Sequence, residues 1–418
     1  LAHLEPYDGT VEYIRLSFKR HRLDWGLETA RILMDKGYKV FINPVNNNVY
    51  SDQEYIEVLD KVNELHPYGF SIVDTFGVMR TSDLSHRYFL VENNLAKDIT
   101  IGVHLHENLG LAFSLAQHII EIANPQRNII IDGSLLGMGR VPGNLCIEQI
   151  IDYVNERFGA GYGVEPIYDA IDDYIAPIKA KSPWGYAIPY ALSAKYNLHR
   201  TYAEFLIGKK RLKTKDILRI LSQIPQSEAE TFNETYIAQL YFDYMNVIYQ
   251  DMDELQDLRE KISKYSKVLI LSPGQSIMEA KYRIADFIDK DTCVIAVNFV
   301  PVSIGIKPDY IFLTNSKRED AVKSYKGTSK LIITSNLVRD NLMPDYTVAY
   351  NELVHFRNEY CNDSTIMLMK LLGKLGVHKI FFAGFDGRRD GGLLFFDDIF
   401  DRHDTDVRSE KKVCEILS

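Results

Sequence analysis

Two histidines separated by one residue are the feature of this sequence that most directly suggests chemistry. His104 and His106 follow an apolar, β-branched run at residues 99–103 that is typical of a buried strand. Side chains two apart on a strand point to the same side, so both imidazoles face one way. Convergent imidazoles often bind first-row divalent metals, but the pattern also fits two half-buried histidines with ordinary hydrogen bonds. The pair predicts a metal site and leaves that alternative open.

A glycine-rich turn follows the next predicted strand, over residues 132–144. Glycines permit positive φ and let the backbone approach a ligand closely, and we predict Gly139 as a substrate contact. Asn144 stands where a helix begins, so it is either an N-cap or a neutral oxygen ligand. We predict a metal site made of His104, His106 and Asn144.

These residues lie on a repeating strand–helix pattern. Five apolar strands are predicted, with helical stretches such as 27–36 and 111–123 between them; the strands are 11–18, 39–43, 69–74, 99–104 and 128–132. Near-continuous apolar strands that alternate with helices predict parallel β/α units. Each strand–helix unit takes about 30 residues, which is the length per unit of an eight-unit barrel. We therefore expect an α/β fold in which residues 1–157 form part of a (β/α)8 TIM barrel, with strands four to eight present and three preceding units missing.

Two further regions follow. Residues 158–262 are predicted to be helical, and residues 263–418 start a new β/α series that predicts a Rossmann-like α/β domain. Strands are expected at 267–271, 293–297, 310–313, 331–334 and 379–382. The chain is thus expected to have three parts.

Composition excludes several classes of protein. With 48 Lys and Arg against 57 Asp and Glu, the net charge of −9 argues against nucleic acid or an anionic membrane as a partner. No apolar run approaches the roughly 20 residues that span a bilayer. The four cysteines form no CxxC pair, which favours a reduced, cytoplasmic setting. The chain begins with Leu1, and we expect it to be a piece of a longer protein that can form a homo-oligomer.

Three segments together resemble a known family of metallolyases. They are the HxH motif followed by Asn108 and Gly110, the GxGxxxGN turn ending at Asn144 with Glu148 beyond it, and the Asp-Thr-x-Gly segment at residues 74–77. This arrangement is similar to the DRE-TIM (HMGL-like) superfamily, which includes isopropylmalate synthase, hydroxymethylglutaryl-CoA lyase and 4-hydroxy-2-oxovalerate aldolase. The resemblance covers residues 1 to about 222.

Within that superfamily the sequence is most similar to the aldolases. The lyases carry a catalytic Cys in the glycine turn, where this chain has Val141. Segments 167–173, 185–190 and 213–218 resemble the helical C-terminal region of the aldolases, from which a tyrosine reaches the barrel mouth. The resemblance implies Tyr186 as the catalytic residue, with Tyr190 as second choice; both can equally belong to an aromatic packing face.

The resemblance implies an activity. It is a divalent-metal-dependent aldolase, with Mn²⁺, Mg²⁺ or Zn²⁺, that makes or breaks a carbon–carbon bond next to a 2-oxo acid through a pyruvate-type enolate. The partners would be a 2-oxo acid and an aldehyde, and Asp74 and Thr75 would line the substrate site. The Asp ligand and catalytic Arg of the superfamily's first strand have no match; they would precede Leu1 or be supplied by another polypeptide. We therefore expect the chain alone to have little or no activity.

The last domain carries a separate signal. Residues 272–276, Ser-Pro-Gly-Gln-Ser, lie between a strand and a helix, the setting of a phosphate-binding turn or of a plain capped turn. With later segments the region resembles hydroxymethylpterin diphosphokinase-like and sialyltransferase-like domains. This implies a nucleotide or sugar-nucleotide site at Gly274, Ser276, Asn298 and Asp386. The alternative function is a nucleotide-dependent transferase, with the barrel as an inactive binding or scaffold module.

Overall fold

The structure is a computed structural model that describes residues 4–46, 49–323, 325, 327–354 and 363–386. The chain forms two compact units. The first consists of Leu1–Glu204 with Ile224–Phe232, and the second of Phe205–Gln223 with Asn233–Ser418. The helical stretch therefore contributes to both units, and the three-part division predicted from the sequence stays a proposal.

The first unit is built on a five-stranded parallel sheet. Its strands lie in chain order: β1 (Tyr13–Phe18), β2 (Lys39–Pro44), β3 (Gly69–Asp74), β4 (Thr100–Leu105) and β5 (Ile129–Asp132). All five predicted strands are confirmed, within two residues at each end. The described residues contain no closed barrel, and β1 and β5 are the two edges of the sheet.

Helices between the strands cover one face of this sheet. They are α1 (Leu23–Asp35), α2 (Asp52–Leu65), α3 (Thr81–Asn94), α4 (Ala112–Ile122) and α5 (Ile147–Phe158). Helix α2 begins with a capping box in which Ser51 and Glu54 satisfy each other's backbone N–H groups. Apolar side chains of helices and strands form one core that includes the fully buried Tyr55, Phe70 and Ile72. Because the helices and this core cover one face of the sheet, the opposite face stays open.

The open face is concave, because side chains from its two edge strands meet across it. Arg15 on β1 forms a two-pronged ion pair with Asp132 on β5, with N···O distances of 2.6 and 2.5 Å. Four strand spacings in a flat sheet amount to about 19 Å, further than an arginine side chain reaches. The sheet therefore curls, and the guanidinium crosses the concavity above the ring of Phe41, 4.8 Å from its centroid.

Short helices follow the first sheet. They are α6 (Glu165–Ala170), α7 (Ala176–Lys181), α8 (Ile188–Lys195), α9 (Thr201–Gly208), α10 (Thr214–Leu221), α11 (Glu234–Met245) and α12 (Met252–Ile262), with a π-helical turn at Ile171–Ile175. The helical character predicted for residues 158–262 is confirmed. Among the described residues, no helix combines the length and apolarity that crossing a bilayer requires.

The second unit contains a six-stranded parallel sheet. Its strands are β6 (Lys267–Leu271), β7 (Thr292–Val297), β8 (Tyr310–Leu313), β9 (Lys330–Thr334), β10 (Tyr346–Val348) and β11 (Ile380–Ala383), in the spatial order 10-9-8-7-6-11. The described helices here are α13 (Ser276–Glu279), α14 (Lys281–Phe287), α15 (Glu319–Lys323), α16 (Tyr350–Leu353) and α17 (Ser364–Lys374). The five predicted strands are confirmed. Strand β10 was missed, because three residues give too short a pattern to recognise.

Candidate active site

The two histidines lie at the carboxyl end of β4 and face the concave side of the first sheet. Their ring centroids are 4.9 Å apart and the rings are nearly perpendicular, at 78°. Both line a cavity of about 590 Å³ together with residues from all five strands. The convergence predicted from the one-residue spacing is therefore present in the structure.

His106 is held in a defined tautomer. Its Nδ1 lies 2.7 Å from the carbonyl oxygen of Asp74, which can only accept, so Nδ1 carries the proton and donates. Burial, and then the neighbouring His104, lowers the pKa of His106 to about 4. The ring is thus neutral near pH 7, and Nε2 keeps the lone pair that a metal would need.

His104 is oriented by a carboxylate instead. Its Nδ1 lies 3.1 Å from Oδ2 of Asp132, whose carboxylate also accepts both prongs of the Arg15 guanidinium. Each imidazole therefore donates from Nδ1 to a fixed oxygen, the outer-shell arrangement that metal-binding histidines usually have. Sequence reasoning gave neither Arg15 nor Asp132 a role. The sequence shows only that both are polar residues on predicted strands. No sequence pattern predicts a contact between two residues that are 117 positions apart.

Asn144 lies beside His106, with which it forms an isolated antiparallel bridge. Its Nδ2 donates to the carbonyl oxygen of Met138 at 2.9 Å, which leaves Oδ1 as an acceptor or ligand atom. Helix α5 begins at Ile147 with Cys146 in the N-cap position, so Asn144 is not the N-cap. A Cβ on Gly139 would stand 2.4 Å from Nδ2 of Asn144. The absence of a side chain at Gly139 therefore leaves room for the amide of Asn144.

The side chains at this site meet some requirements of a divalent-cation site and not others. Two imidazoles with their Nδ1 atoms engaged and one amide oxygen are suitable nitrogen and oxygen donors. Within the described part of the chain, however, no three His, Cys, Asp or Glu side chains form a group that could hold a metal ion. The site lacks an anionic ligand there, so a cation would bind more weakly than in a set that includes a carboxylate.

The two residues predicted to line the substrate site differ in placement. Thr75 lines the cavity, and its Oγ1 accepts from the backbone N–H of Asn46 at 2.7 Å. The carboxylate of Asp74 is buried in its own loop, where it accepts from the N–H groups of Val78 and Met79. Burial raises the pKa of Asp74 to about 7. The structure thus brings Asp74 to the site through its carbonyl oxygen, not its side chain.

The candidate catalytic tyrosines lie apart from the histidine cavity. Tyr186 is 58% exposed and lines a neighbouring cavity of about 650 Å³ with Val78 and Leu109. Its ring lies 3.9 Å from where a Cβ on Gly110 would be, just beyond the histidine pair. Tyr190 is partly buried, which raises its pKa. A catalytic role for Tyr186 stays a prediction.

The structure brings three of the four residues predicted for a nucleotide site together. Ser276 donates from its backbone N–H and its hydroxyl to Asp386, at 2.6 Å each. A Cβ on Gly274 would be 2.4 Å from the carbonyl oxygen of Gly384, so this turn packs tightly against the end of β11. Asn298 follows the neighbouring strand β7, and its Oδ1 accepts from the backbone N–H of Thr314.

Part of the first unit is similar to a known protein family. Residues 26–168 match the HMGL-like family model. The matched segment includes β2 to β5, both histidines and the glycine turn.

Individual relatives match part of the chain. The chain is 29% identical over 195 residues to a 4-hydroxy-2-oxovalerate aldolase from Pseudoalteromonas translucida, a match that covers 42% of this chain and 54% of the relative. A 4-hydroxy-2-oxovalerate aldolase from Thermomicrobium roseum is 28% identical over 179 residues, or 42% and 47% of the two chains. The chain thus spans about half the length of these curated relatives. Among solved structures, hydroxymethylglutaryl-CoA lyase from Pseudomonas aeruginosa gives a TM-score of 0.35 at 15% identity, covering 48% of this chain and 68% of that one.

Proposed function

We propose that this protein is a divalent-metal-dependent lyase that makes or breaks a carbon–carbon bond next to a 2-oxo acid, as an aldolase of the 4-hydroxy-2-oxovalerate type. The observation that supports this most is the histidine pair, in which both Nδ1 atoms are engaged and both rings face one cavity. His104 and His106 would hold the cation, with Asn144 as a weaker third ligand. When bound, the cation supplies Lewis-acid polarisation of the substrate's oxo and carboxylate oxygens.

The chain's own side chains would organise the remainder of the site. Asp132 and the carbonyl of Asp74 hold the imidazoles in one tautomer, which spares the site reorganisation when it is loaded. Arg15 places a guanidinium on the cavity wall, where it neutralises the charge of Asp132. The apolar Val73 and Ile131 on the same wall limit water around the reacting carbons.

The test measures metal binding before turnover. Equilibrium Mn²⁺ binding and pyruvate release from 4-hydroxy-2-oxo acids would be measured for the full chain, for His104→Ala and for His106→Ala. We expect both variants to lose Mn²⁺ binding by at least about tenfold, because each removes one of two imidazole ligands. His66→Asn is the matched control, since His66 pairs with Asp98 and its positive φ suits asparagine.

Turnover is expected to be slow and to need excess Mn²⁺, because the described ligand set has no carboxylate. The proposal fails if Mn²⁺ binding is unchanged in both histidine variants, or if pyruvate release persists without either imidazole.

We propose as a second candidate function a nucleotide-dependent transfer in the second unit. One observation favours it: the strand order reverses between β6 and β11, and the Ser276 turn follows β6 at that point. Ligands of open α/β sheets bind at such a reversal, beyond the carboxyl ends of the strands. Asp386 already occupies the two Ser276 donors, so a phosphate would need a bridging cation there. Titration of ATP into the full chain with and without Mg²⁺ tests this, and Mg²⁺-independent or absent binding argues against it.

A further inference from the structure

Trp184, which lies between α7 and α8, contacts the glycine turn at two points. Its indole Nε1 donates a hydrogen bond of 2.8 Å to the carbonyl oxygen of Leu136, 48 residues earlier in the chain. Its Cδ1 lies 3.3 Å from where a Cβ on Gly143 would be, so the edge of the ring packs against the later part of the turn. One side chain from the helical segment thus contacts both arms of the turn.

The turn contains a backbone conformation that its own sequence does not favour. Leu136 has a φ of 49° and a ψ of 25°, in the left-handed region that residues with a Cβ disfavour. Its N–H donates to Oε2 of Glu148 at 3.1 Å, and its carbonyl oxygen accepts from Trp184. Strained residues persist only where their surroundings hold them, so these two hydrogen bonds stabilise this form of the turn.

The two residues after Leu136 hold both donor groups of Asn144. The carbonyl oxygen of Gly137 accepts from the backbone N–H of Asn144 at 3.0 Å. The carbonyl oxygen of Met138 accepts from Nδ2 of Asn144 at 2.9 Å, which leaves Oδ1 to serve as the ligand atom at the histidine cavity. A change at the Leu136 peptide therefore moves the carbonyl groups that orient the Asn144 amide.

We propose that Trp184 is a positioning residue for the candidate metal site, which acts by holding the glycine turn in the form that presents Oδ1 of Asn144. This rests on the proposed function, because the ligand set of His104, His106 and Asn144 is taken from it. Trp184 acts through Asn144 and not through the histidines, whose Nδ1 atoms have acceptors elsewhere. The helical segment thereby contributes to cation binding without touching the cation.

A double-mutant cycle tests this route. The Mn²⁺ affinity of the full chain would be measured by calorimetry for Trp184→Phe, for Asn144→Ala and for the double variant. We expect Trp184→Phe to weaken Mn²⁺ binding roughly 10-fold, as the loss of a contact behind a metal ligand usually does, and Asn144→Ala to weaken it at least as much. The double variant should bind no more weakly than Asn144→Ala, because Trp184 then has no ligand left to position.

Hydrogen–deuterium exchange of the metal-free protein measures the turn itself. Trp184→Phe should speed exchange in peptides that cover residues 134–146, where several backbone N–H groups are hydrogen-bonded within the turn, and should leave peptides from β2 and β3 unchanged. Trp25→Phe is the matched control, because Trp25 is the chain's other tryptophan and lies half exposed on α1. It should alter neither the exchange of the turn nor the Mn²⁺ affinity.

Thermal unfolding shows whether each variant is folded, and the outcomes are distinct. Unchanged Mn²⁺ affinity or unchanged exchange of the turn in folded Trp184→Phe overturns the positioning role while the proposed function stands. A full additive loss in the double variant also overturns it, because Trp184 would then support the site as a whole. Failure of the unmodified protein to bind Mn²⁺ overturns the proposed function and this inference with it.

Discussion

At the scale of single residues, Asp132 is the group on which the orientation of His104 depends. Asp132→Ala removes the acceptor for Nδ1 of His104 and the partner of Arg15. We expect Mn²⁺ affinity to fall roughly 10- to 100-fold, as outer-shell changes at metal sites usually do. Asp132→Asn should cost less, because an amide oxygen can still accept from Nδ1.

The control for Asp132 is Glu12→Gln, which removes the carboxylate of an exposed pair with Lys39. Exposed pairs contribute little, so this change should leave metal binding unaltered. Unchanged Mn²⁺ affinity in Asp132→Ala would show that His104 is oriented by other contacts.

Asp74 and His106 predict opposite dependences of stability on pH in the metal-free protein. The raised pKa of Asp74, about 7 when folded, gives stability that is present below about pH 4 and lost as pH rises through 7. The lowered pKa of His106, about 4 when folded, gives stability that is present above about pH 6.5 and lost as pH falls through 4. The two effects offset each other over the interval between.

Replacing Asp74 or His106 alone should reveal how the other group changes stability with pH. With EDTA present, the free energy of unfolding of Asp74→Asn in urea should rise more steeply from about pH 4 to 6.5 than that of the unmodified protein, since the opposing titration of Asp74 is gone. His106→Asn should change the slope in the opposite direction. Parallel slopes in the two variants would contradict the burial of these groups as the cause.

The sequence predicted the histidine pair but not its partners, and the reason is physical. Side-chain direction on a strand follows from the two-residue repeat, so His104 and His106 could be placed on one face. The contact of Arg15 with Asp132 depends on how far the whole sheet curls, which no local pattern contains. Among the described residues, Oδ1 of Asn43 is buried without a hydrogen-bond partner, and no local sequence pattern contains that either.

At the scale of elements, the glycine turn after β5 positions Asn144, and Gly139→Ala tests how. The new Cβ would stand 2.4 Å from Nδ2 of Asn144, so the amide must move. The φ of Gly139 is not positive, so the backbone itself tolerates alanine. We expect weaker Mn²⁺ binding with little change in thermal unfolding.

Gly163→Ala is the matched control, because a Cβ there meets no atom within 4 Å and its φ is likewise not positive. Equal effects of the two substitutions would mean that the turn does not set the ligand position.

Strands were predictable wherever an apolar, β-branched run is at least four residues long, as in β3 and β8. β10 has three residues and was missed. The predicted alternative for Asn144, an N-cap, was wrong because α5 begins three residues later, at Ile147. Element ends depend on a few hydrogen bonds, which is why they are the least predictable part of the fold.

At the scale of the whole molecule, the second unit cannot be obtained by cutting the chain once after the helices. Residues 205–223 belong to it, and their charged side chains pair with its buried acids. Lys215 forms an ion pair with Asp340 at 2.5 Å, and Lys213 with Glu319, which is fully buried. We expect a fragment of residues 233–418 to be less stable than one of 205–418 by roughly 3–5 kcal/mol, since Asp340 loses Lys215 and Glu319 keeps only Lys323.

Urea unfolding of the two fragments, followed by circular dichroism, measures this difference. Equal midpoints would show that the ion pairs of residues 205–223 do not stabilise the second unit. A 205–418 fragment with both Lys213 and Lys215 changed to methionine should fall between the two.

The interleaved order of the two units also has a consequence while the chain is being made. The ribosome delivers α10 before the last stretch of the first unit, Ile224–Phe232, and long before β6 begins at Lys267. The apolar face of α10, formed by Ile217, Ile220 and Leu221, is buried within the second unit, where α10 contacts α11. A nascent chain therefore carries an uncovered apolar helix until later parts of the second unit have been made, which is the kind of segment that chaperones bind.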